Sequence, residues 1–402
     1  MAAEVHHRSG PLIRRARIAV AAQFLTNGAL FANLLPRFPE IKSDLGLSNT
    51  VYGLAIGAFS TGAFVAGLGA GALIRRFTSA RVAVGGTVGI AVFVLAAAVA
   101  PSAMWLAAAL LVAGACDACT DVAQNAHALR VQRHYGRSII NSVHAVWAAG
   151  AVLGGLMATG AIALHIPRSV HLGVAAVLFS MVVLVAYRFM LPGADHDEHL
   201  ADAPGATGRA GPRGYLLLAA LAALAAIAIA GALVEDAGSS WAALYLSHSV
   251  GAPAAVAGLG YVALAGAMFV GRLAGDRLVD RFGDVTVARA GGLLVAGGMG
   301  AALAVPSVPG TLAGFAAAGL GVATWIPAAM NRADQLPGLR PGTGLTLLTW
   351  LLRIGFLASP PVVGFIADTT SLRIGLLSVP VAGIVVIVAA GALRARGRSA
   401  RS

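Results

Sequence analysis

Charge, aromatic side chains and cysteine are all scarce in this chain of 402 residues. Charged residues make up 11% of it, aromatic residues 6%, and only 2 residues are cysteines. Hydrophobic residues, by contrast, make up 58%, and the mean hydropathy is +0.83. A soluble domain of this composition would expose apolar surface that it could not bury. The sequence therefore predicts a protein whose solvent is lipid.

These absences also exclude several functions. The net charge is +12, but no basic face is interleaved with aromatic residues, so we expect no nucleic-acid partner. No nucleophile, base and orienting group share a plausible site, so we predict no catalytic residue, no enzymatic activity and no cofactor.

The two cysteines, Cys116 and Cys119, lie one helical turn apart in an apolar segment. Such spacing suits zinc or redox chemistry in a loop, but inside an apolar helix two small residues more often pack. A cluster of aspartate and histidine at 195–199 is interpreted as a solvated loop rather than a metal site. We predict no metal site.

Twelve apolar stretches are each long enough, at about 20 residues, to cross a membrane as a helix. Glycine and proline inside them suit close helix packing and local unwinding better than strands. The stretches begin near Ile18, Val51, Val82, Ala103, Ser138, Ser169, Gly214, Ala254, Val285, Val308, Gly342 and Leu372.

The chain repeats itself. Gly46, Gly53, Arg76 and Gly150 recur 205 positions later as Gly251, Gly258, Arg281 and Gly355. Internal repeats around a midplane site are how many secondary transporters are built. We therefore predict an all-α membrane protein of twelve transmembrane helices in two pseudo-symmetric six-helix bundles. Residues 1–191 form the first bundle, 192–213 a cytoplasmic linker, and 214–402 the second bundle.

The basic residues fix an orientation. All but one are arginine, Lys42 being the exception, and they concentrate in every second connection, Arg272 and its neighbours included. By the positive-inside rule, both termini are cytoplasmic. We expect a monomeric, multi-pass protein of the inner (cytoplasmic) cell membrane, with the lipid bilayer as its surroundings.

Polar residues at membrane depth are costly, which makes them functional candidates. They concentrate in the first, fourth, seventh and tenth spans, so these spans should line a central aqueous cavity while every third span faces lipid. A rise of about 1.5 Å per residue orders the candidates by depth. Arg353 lies near the middle, Asp117 just below it, Asp121 and His144 in the inner third, and Glu235 and Asp236 in the outer third.

Four residues are predicted to bind the solute: Asn27, Asp117, Arg353 and Trp325. The guanidinium of Arg353 suits a carboxylate or phosphate on the solute, or else it forms an ion pair with Asp117 or Glu235. Trp325 stacks on a ring-shaped solute, or it packs in the core. Both alternatives stay open for each residue.

A second set is predicted to carry protons: Glu235, Asp121, Asp236 and His144. Glu235 exchanges a proton near neutral pH, or it only caps a broken helix. Asp121 and His144 form a relay or gate, or a fixed hydrogen bond between helices.

A third set is predicted to gate the cavity. The end of span eight carries Asp280, Arg277 and Arg281. A carboxylate at this position can hold the two bundles together in one conformation. The matching loop after span two carries Arg75 and Arg76 but lacks the acid, so that latch must be altered.

These features resemble the major facilitator superfamily over nearly the whole chain. The signature resembles G-x-x-x-D-R-x-G, in the loops after spans two and eight. Asp121 to Ala126, Glu235 ahead of Trp241, and Gly271 to Arg277 are similar to a bacterial branch of facilitators related to sugar transporters. The resemblance implies proton-driven alternating access. Asp276 stands where the first glycine of the motif is usual, and the fifth span lacks the Gly-Pro pair typical of drug/proton antiporters.

We therefore predict a proton-coupled secondary transporter of a small polar organic solute, an anionic one if Arg353 is free to bind it. The alternative is a proton-coupled exporter of hydrophobic compounds or drugs. A non-transporting sensor or scaffold is a third hypothesis, from a different class.

Overall fold

A computed structural model describes residues 2–193, 214–336, 339 and 343–394, with side chains described from residue 10 and, after the first gap, from residue 217. The regular elements in these ranges are helical. Residues 194–213 make up most of the predicted linker and contain the Asp/His cluster, and they lie outside the described residues.

Twelve helices within the described ranges are long and apolar enough to cross a membrane. They begin close to the predicted positions, which confirms the prediction of twelve spans. In chain order, α1 to α12 are Gly10–Asp44, Asn49–Phe77, Ser79–Ala98, Ala103–Tyr135, Ile140–Ala163, Arg168–Tyr187, Leu217–Ser249, Ala254–Phe282, Asp284–Ala304, Val308–Asp334, Thr343–Thr369 and Leu372–Leu393.

The helices form two bundles of six. In the first, α4 packs on α2 and α3, and α1 packs on α5; in the second, α10 packs on α8 and α9, and α11 packs on α7. The bundles meet along two helix pairs, α2 with α11 and α5 with α8. The predicted fold is confirmed, while the domain boundaries at 191 and 214 stay a prediction.

The backbone turns follow the sequence repeat. Gly46 and Gly251, which are 205 positions apart, both have a positive φ. Thr78 and Gly283, at the same spacing, both have φ of 79°. A positive φ is rare for a branched residue such as Thr78, so the pseudo-symmetry imposes a turn that glycine adopts more easily.

Three of the helices are irregular where polar groups collect. α1 ends in a 3₁₀ turn at Leu35–Arg37 and a short helix at Phe38–Asp44. α7 contains π-helical turns at Ala237–Trp241 and Tyr245–Ser249. α10 is interrupted between Val308–Val322 and Trp325–Asp334, just before Pro327, which has no N–H to continue the helix. Such irregularities often lie at functional sites.

Helices α2 and α8 both end in arginines, next to the turns that lead into α3 and α9. We name this side of the molecule the arginine-rich end. The opposite end carries the connections from α1 to α2 and from α7 to α8.

The packing of α2 on α4 generates a prediction for Gly62. A Cβ atom at Gly62 would overlap the backbone carbonyl of Leu111, whereas a Cβ atom at Gly69, on the same helix, would meet nothing within 4 Å. Gly62→Ala should destabilise the protein by about 1–3 kcal/mol because it overpacks a helix crossing. Gly69→Ala, the matched control, should leave the melting midpoint of the detergent-purified protein unchanged or slightly raised. Equal midpoints for the two variants would contradict this packing.

Candidate functional site

A cavity of about 1060 Å³ lies between the two bundles. Its walls come from α1, α4 and α5 on one side and from α8, α9 and α10 on the other. Asp276, Asp280 and Asp284, around the turn from α8 to α9, line it, so the cavity extends to the arginine-rich end.

The predicted helix assignment is only partly reproduced. α1, α4 and α10 line the cavity as expected, and within the described residues α3, α6 and α12 contribute nothing to its wall. No described residue of α7 lines it, whereas α5 and α8, which form one of the two helix pairs between the bundles, both do.

Asn27 is the centre of a hydrogen-bond network in the first bundle. Its Nδ2 donates to Asp117 Oδ1 at 2.9 Å, while its Oδ1 accepts from Trp147 Nε1 at 2.8 Å and from Gln124 Nε2 at 3.3 Å. Asn27 is only 5% exposed, so these partners fix its amide orientation. The network fixes one oxygen of Asp117 and leaves Asp117 Oδ2 without a partner among the described residues.

Asp121 lies one helical turn after Asp117, on the same face of α4. Its Oδ1 accepts from Asn125 Nδ2 at 3.0 Å and, at a longer 3.4 Å, from Gln124 Nε2. His144 Nε2 lies 3.0 Å from Asn125 Oδ1. Asn125 therefore bridges Asp121 and His144, which make no direct hydrogen bond with each other.

Glu235 forms an ion pair with Arg272, at 3.1 Å between Oε1 and Nη2. Arg272 was predicted to lie in a connecting loop, and that prediction is wrong. Arg272 lies within α8, which stays helical to Phe282, and it lines the cavity. The pair links α7 to α8 inside the second bundle.

Asp236 faces a different neighbour from Glu235. It is 7% exposed, and its two oxygens accept from Ser240 Oγ and Ser359 Oγ, each at 2.7 Å. The bond from Ser359 ties α7 to α11, while the bond from Ser240 stays within α7, and Asp236 does not line the cavity. The adjacent acids thus have separate surroundings.

Two predicted solute residues lie outside the cavity wall. Arg353 Nη1 donates to the carbonyl of Ala63 on α2 at 3.3 Å, and among the described residues it forms an ion pair with neither Asp117 nor Glu235. Trp325 is 0% exposed in the core of the second bundle. Of the two interpretations given for Trp325, packing in the core therefore agrees with the structure, and stacking on a solute does not.

The predicted gating residues are not engaged with one another. Asp280 lines the cavity mouth and has no hydrogen-bond or ion-pair partner among the described residues. Arg76 and Arg281, which are equivalent in the repeat, lie over the rings of Phe77 and Phe282, at 5.5 and 5.3 Å from the ring centroids. Arg277 is exposed. The arginine-rich end is therefore open.

The opposite end is closed by hydrogen bonds between the bundles. The carboxylate of Asp368, at the end of α11, accepts from the backbone N–H of Asn49 at 2.9 Å and of Thr50 at 2.7 Å. Both N–H groups belong to the first turn of α2, where no intrahelical partner exists and negative charge is favoured. Nearby, Tyr52 Oη donates at 2.6 Å to the carbonyl of Ser240 in a π-helical turn of α7.

Glycine makes these contacts possible. A Cβ atom at Gly53 of α2 would overlap the carbonyl of Pro360 on α11, and one at Gly258 of α8 would lie 2.8 Å from Thr159 Oγ1 on α5. Gly53 and Gly258 are equivalent in the repeat. Small residues thus allow both helix pairs to approach closely at the closed end.

The cysteines pack as predicted. Both are free thiols, and Cys116 lies beside Gly89 while Cys119 lies 3.9 Å from the carbonyl of Ala66. Within the described residues, no group of three or more metal-ligating side chains is found.

Three residues of this arrangement escaped the sequence analysis: Arg272, Trp147 and Asp368. Arg272 lies only five positions before Arg277, and helix α8 includes both residues and continues to Phe282, so counting charges by connection misplaced Arg272. Trp147 lies in a span with few polar residues. The only sequence feature that distinguishes Asp368 is that it is an acid at the end of an apolar helix, and this feature does not identify its partner.

Comparison with known proteins agrees with the fold. The family model described as Major Facilitator Superfamily matches residues 20–277. The chain is 30% identical over 379 residues to an uncharacterized transporter, y4wD, of Sinorhizobium fredii, a match that covers 93% of this chain and 97% of the relative. It is 28% identical to membrane protein MosC of Rhizobium meliloti, over 92% and 88% of the two chains.

Solved structures share the architecture at low identity. A mutant of the nucleoside transporter NupG matches with a TM-score of 0.72 and 13% identity, over 96% of this chain and 100% of that one. A bacterial homolog of the human lysosomal transporter Spinster, in an inward-facing and unoccupied conformation, matches with a TM-score of 0.71 and 13% identity, over 96% of each chain.

The closed end generates a prediction for Asp368. Asp368→Asn should weaken the contact between the bundles and shift the population toward a conformation open at this end, because a neutral amide interacts less favourably with a helix N-terminus. Spin labels on exposed positions at the closed end of α2 and α11 should show a longer distance component.

The matched control is Ser48→Ala. Ser48 Oγ accepts from Val51 N at 3.2 Å, so it caps the same helix from within its own bundle. This variant should lower stability without changing the distance distribution. The role given to Asp368 would be contradicted if both variants left the distribution unchanged, or if both changed it alike.

Proposed function

The chain belongs to the major facilitator superfamily, and on that premise we propose that it is a proton-coupled secondary transporter of a small polar organic solute. One observation carries the proposal: a cavity between the bundles holds polar side chains, is open at the arginine-rich end, and is sealed at the other end by contacts that cross between the bundles. The family is one of transporters rather than enzymes.

The lining supports a polar solute. Asn27, Asp117, Asn141, Thr324 and Asn331 offer donors and acceptors from both bundles. Asn27 also bonds directly to Asp117, whereas Arg353, which was predicted to bind the solute, does not line the cavity. Support for an anionic solute, which depended on Arg353, is therefore lost.

The alternative, a proton-coupled exporter of hydrophobic compounds, draws on the apolar part of the wall. Phe269, Leu273 and Val279 of α8 line the cavity. Export of apolar rather than polar compounds by cells that produce the protein would favour this alternative.

The proposed location is the cytoplasmic membrane, with the arginine-rich end and both termini on the cytoplasmic side. In this orientation the conformation described is open to the cytoplasm. The protein is proposed to work as a monomer, since one chain forms the whole cavity.

Glu235 is the proposed proton carrier. Its carboxylate faces Arg272, with which it pairs at 3.1 Å, and Tyr261 of α8 lies close enough to interact electrostatically. Protonation of Glu235 would remove the negative partner of Arg272 and so change the charge of the cavity wall. Asp121, near His144 and Arg353, is the second proposed proton site.

The proposed coupling is tested by measuring transport at several pH values. Cells that produce the wild-type protein should redistribute a polar solute between cytosol and medium to an extent that depends on external pH, measured by untargeted mass spectrometry. Glu235→Gln should abolish this pH dependence because the side chain no longer exchanges a proton. Asp236→Asn, the adjacent control, should retain the pH dependence because Asp236 bonds to Ser240 and Ser359 away from the cavity.

Each result is compared at equal protein abundance in the membrane. If the Glu235→Gln profile is unchanged and the Asp236→Asn profile is flat, the proton assignment passes to Asp236. Redistribution by the wild type that is independent of pH would refute proton coupling altogether.

A further inference from the structure

The cavity wall is strongly acidic. Among the described lining residues, five are aspartates and one is an arginine: Asp117, Asp121, Asp276, Asp280, Asp284 and Arg272. The arginine is already paired with Glu235. A cleft lined by one sign of charge and walled by low-dielectric material concentrates ions of the opposite sign. The field of this cavity therefore favours a cation and opposes an anion.

The acids lie at two levels. Asp276, Asp280 and Asp284 surround the mouth, and none of them has a hydrogen-bond or ion-pair partner in the described part of the chain. Asp117 and Asp121 lie deeper, on one face of α4. A cation that enters from the arginine-rich end thus passes carboxylates before it reaches the network around Asn27.

Asp117 is the least compensated of the deep acids. The charged neighbour that acts on it is Asp121, which is also negative, and its one hydrogen bond comes from the neutral amide of Asn27. Asp121, by contrast, lies near His144 and Arg353. A carboxylate at membrane depth without a counter-ion is costly, and a bound cation would remove that cost.

An aromatic ring lines the same part of the cavity. Trp147 belongs to the wall, and its indole N–H is held by Asn27 Oδ1 at 2.8 Å. The amide thus fixes the ring and the carboxylate of Asp117 relative to each other. An indole ring and a carboxylate that are bonded to the same amide and line the same cavity suit an organic ammonium group, which gains cation–π attraction as well as charge-assisted hydrogen bonds.

We infer that the solute is a small organic cation and that Asp117 binds its ammonium group, with Trp147 alongside. The inference rests on the proposed transport function and deepens it by naming the chemical class of the solute. Asp117 Oδ2, which has no partner among the described residues, accepts from the ammonium, while Asn27 keeps Oδ1 in place. The cavity, at about 1060 Å³, has room for such a solute together with water.

The experiment compares cytosol and medium by untargeted mass spectrometry in cells that carry an empty vector, the wild type, Asp117→Asn, Asp117→Glu or Asp44→Asn. Asp44 is a control because it pairs with Arg168 outside the cavity. All variants are first matched for abundance and for a monodisperse profile in detergent.

We expect the wild type and Asp44→Asn to redistribute one or more amines that are cationic at neutral pH. Asp117→Asn should reduce this redistribution about tenfold or more, because a charge-assisted hydrogen bond is lost. Asp117→Glu, which keeps the charge, should retain a part of it.

The outcomes separate the two claims. If wild-type cells redistribute a carboxylate, a phosphate or a neutral compound, the transport function stands and the inference of a cationic solute is overturned. If a cation is redistributed equally well by Asp117→Asn, the assignment of Asp117 is overturned. If no compound differs between wild type and empty vector, the proposed transport function fails, and this inference fails with it.

Discussion

Two helix pairs from different bundles approach each other closely where one helix of each pair carries a glycine, and these contacts set the shape of the cavity. Gly53 brings α2 against α11, and Gly258 brings α8 against α5. Because both contacts lie toward the same end of the molecule, the bundles meet there and diverge at the arginine-rich end. The cavity is the space that this divergence leaves. Polar contacts from Asp368 and Tyr52 then hold the closed end, using backbone groups that helix ends and π-helical turns leave accessible.

The chemistry of the cavity follows from which helix faces this geometry exposes. α4 presents Asp117 and Asp121 toward the gap, and α5 adds Trp147, which Asn27 orients. On the other side, Arg272 is neutralised by Glu235, so the second bundle supplies little net positive charge. The result is an acidic cavity within a strongly basic chain. The arginines that dominate the composition lie mainly at helix ends, where they suit orientation in the membrane rather than solute binding.

The sequence carried enough information to predict the architecture but only part of the site. Apolar stretches of span length and landmarks 205 positions apart are local and periodic signals, and they predicted twelve helices and two bundles. The hydrogen-bond and ion-pair partners of long side chains, in contrast, are often far away in the sequence and cannot be predicted from a local pattern. Arg353 has the depth expected of a solute ligand, yet it bonds to Ala63. Arg272 was counted as a loop charge because the helix end was placed too early. Asn27 and Asp117 were predicted to face the cavity because polar groups at membrane depth are costly, and both do line it.

The proposed transport requires that one cavity be exposed to the two faces of the membrane in turn. Phe269 lines the cavity near the middle of α8, and after Cys116→Ala and Cys119→Ala a Phe269→Cys variant would carry a single thiol there. A membrane-impermeant maleimide labels such a thiol irreversibly. Because the label accumulates over minutes to hours, it also detects a conformation that is populated only briefly. We predict labelling from both faces, faster from the arginine-rich end. Labelling from that end alone, under all conditions, would contradict alternating access and indicate a static pocket.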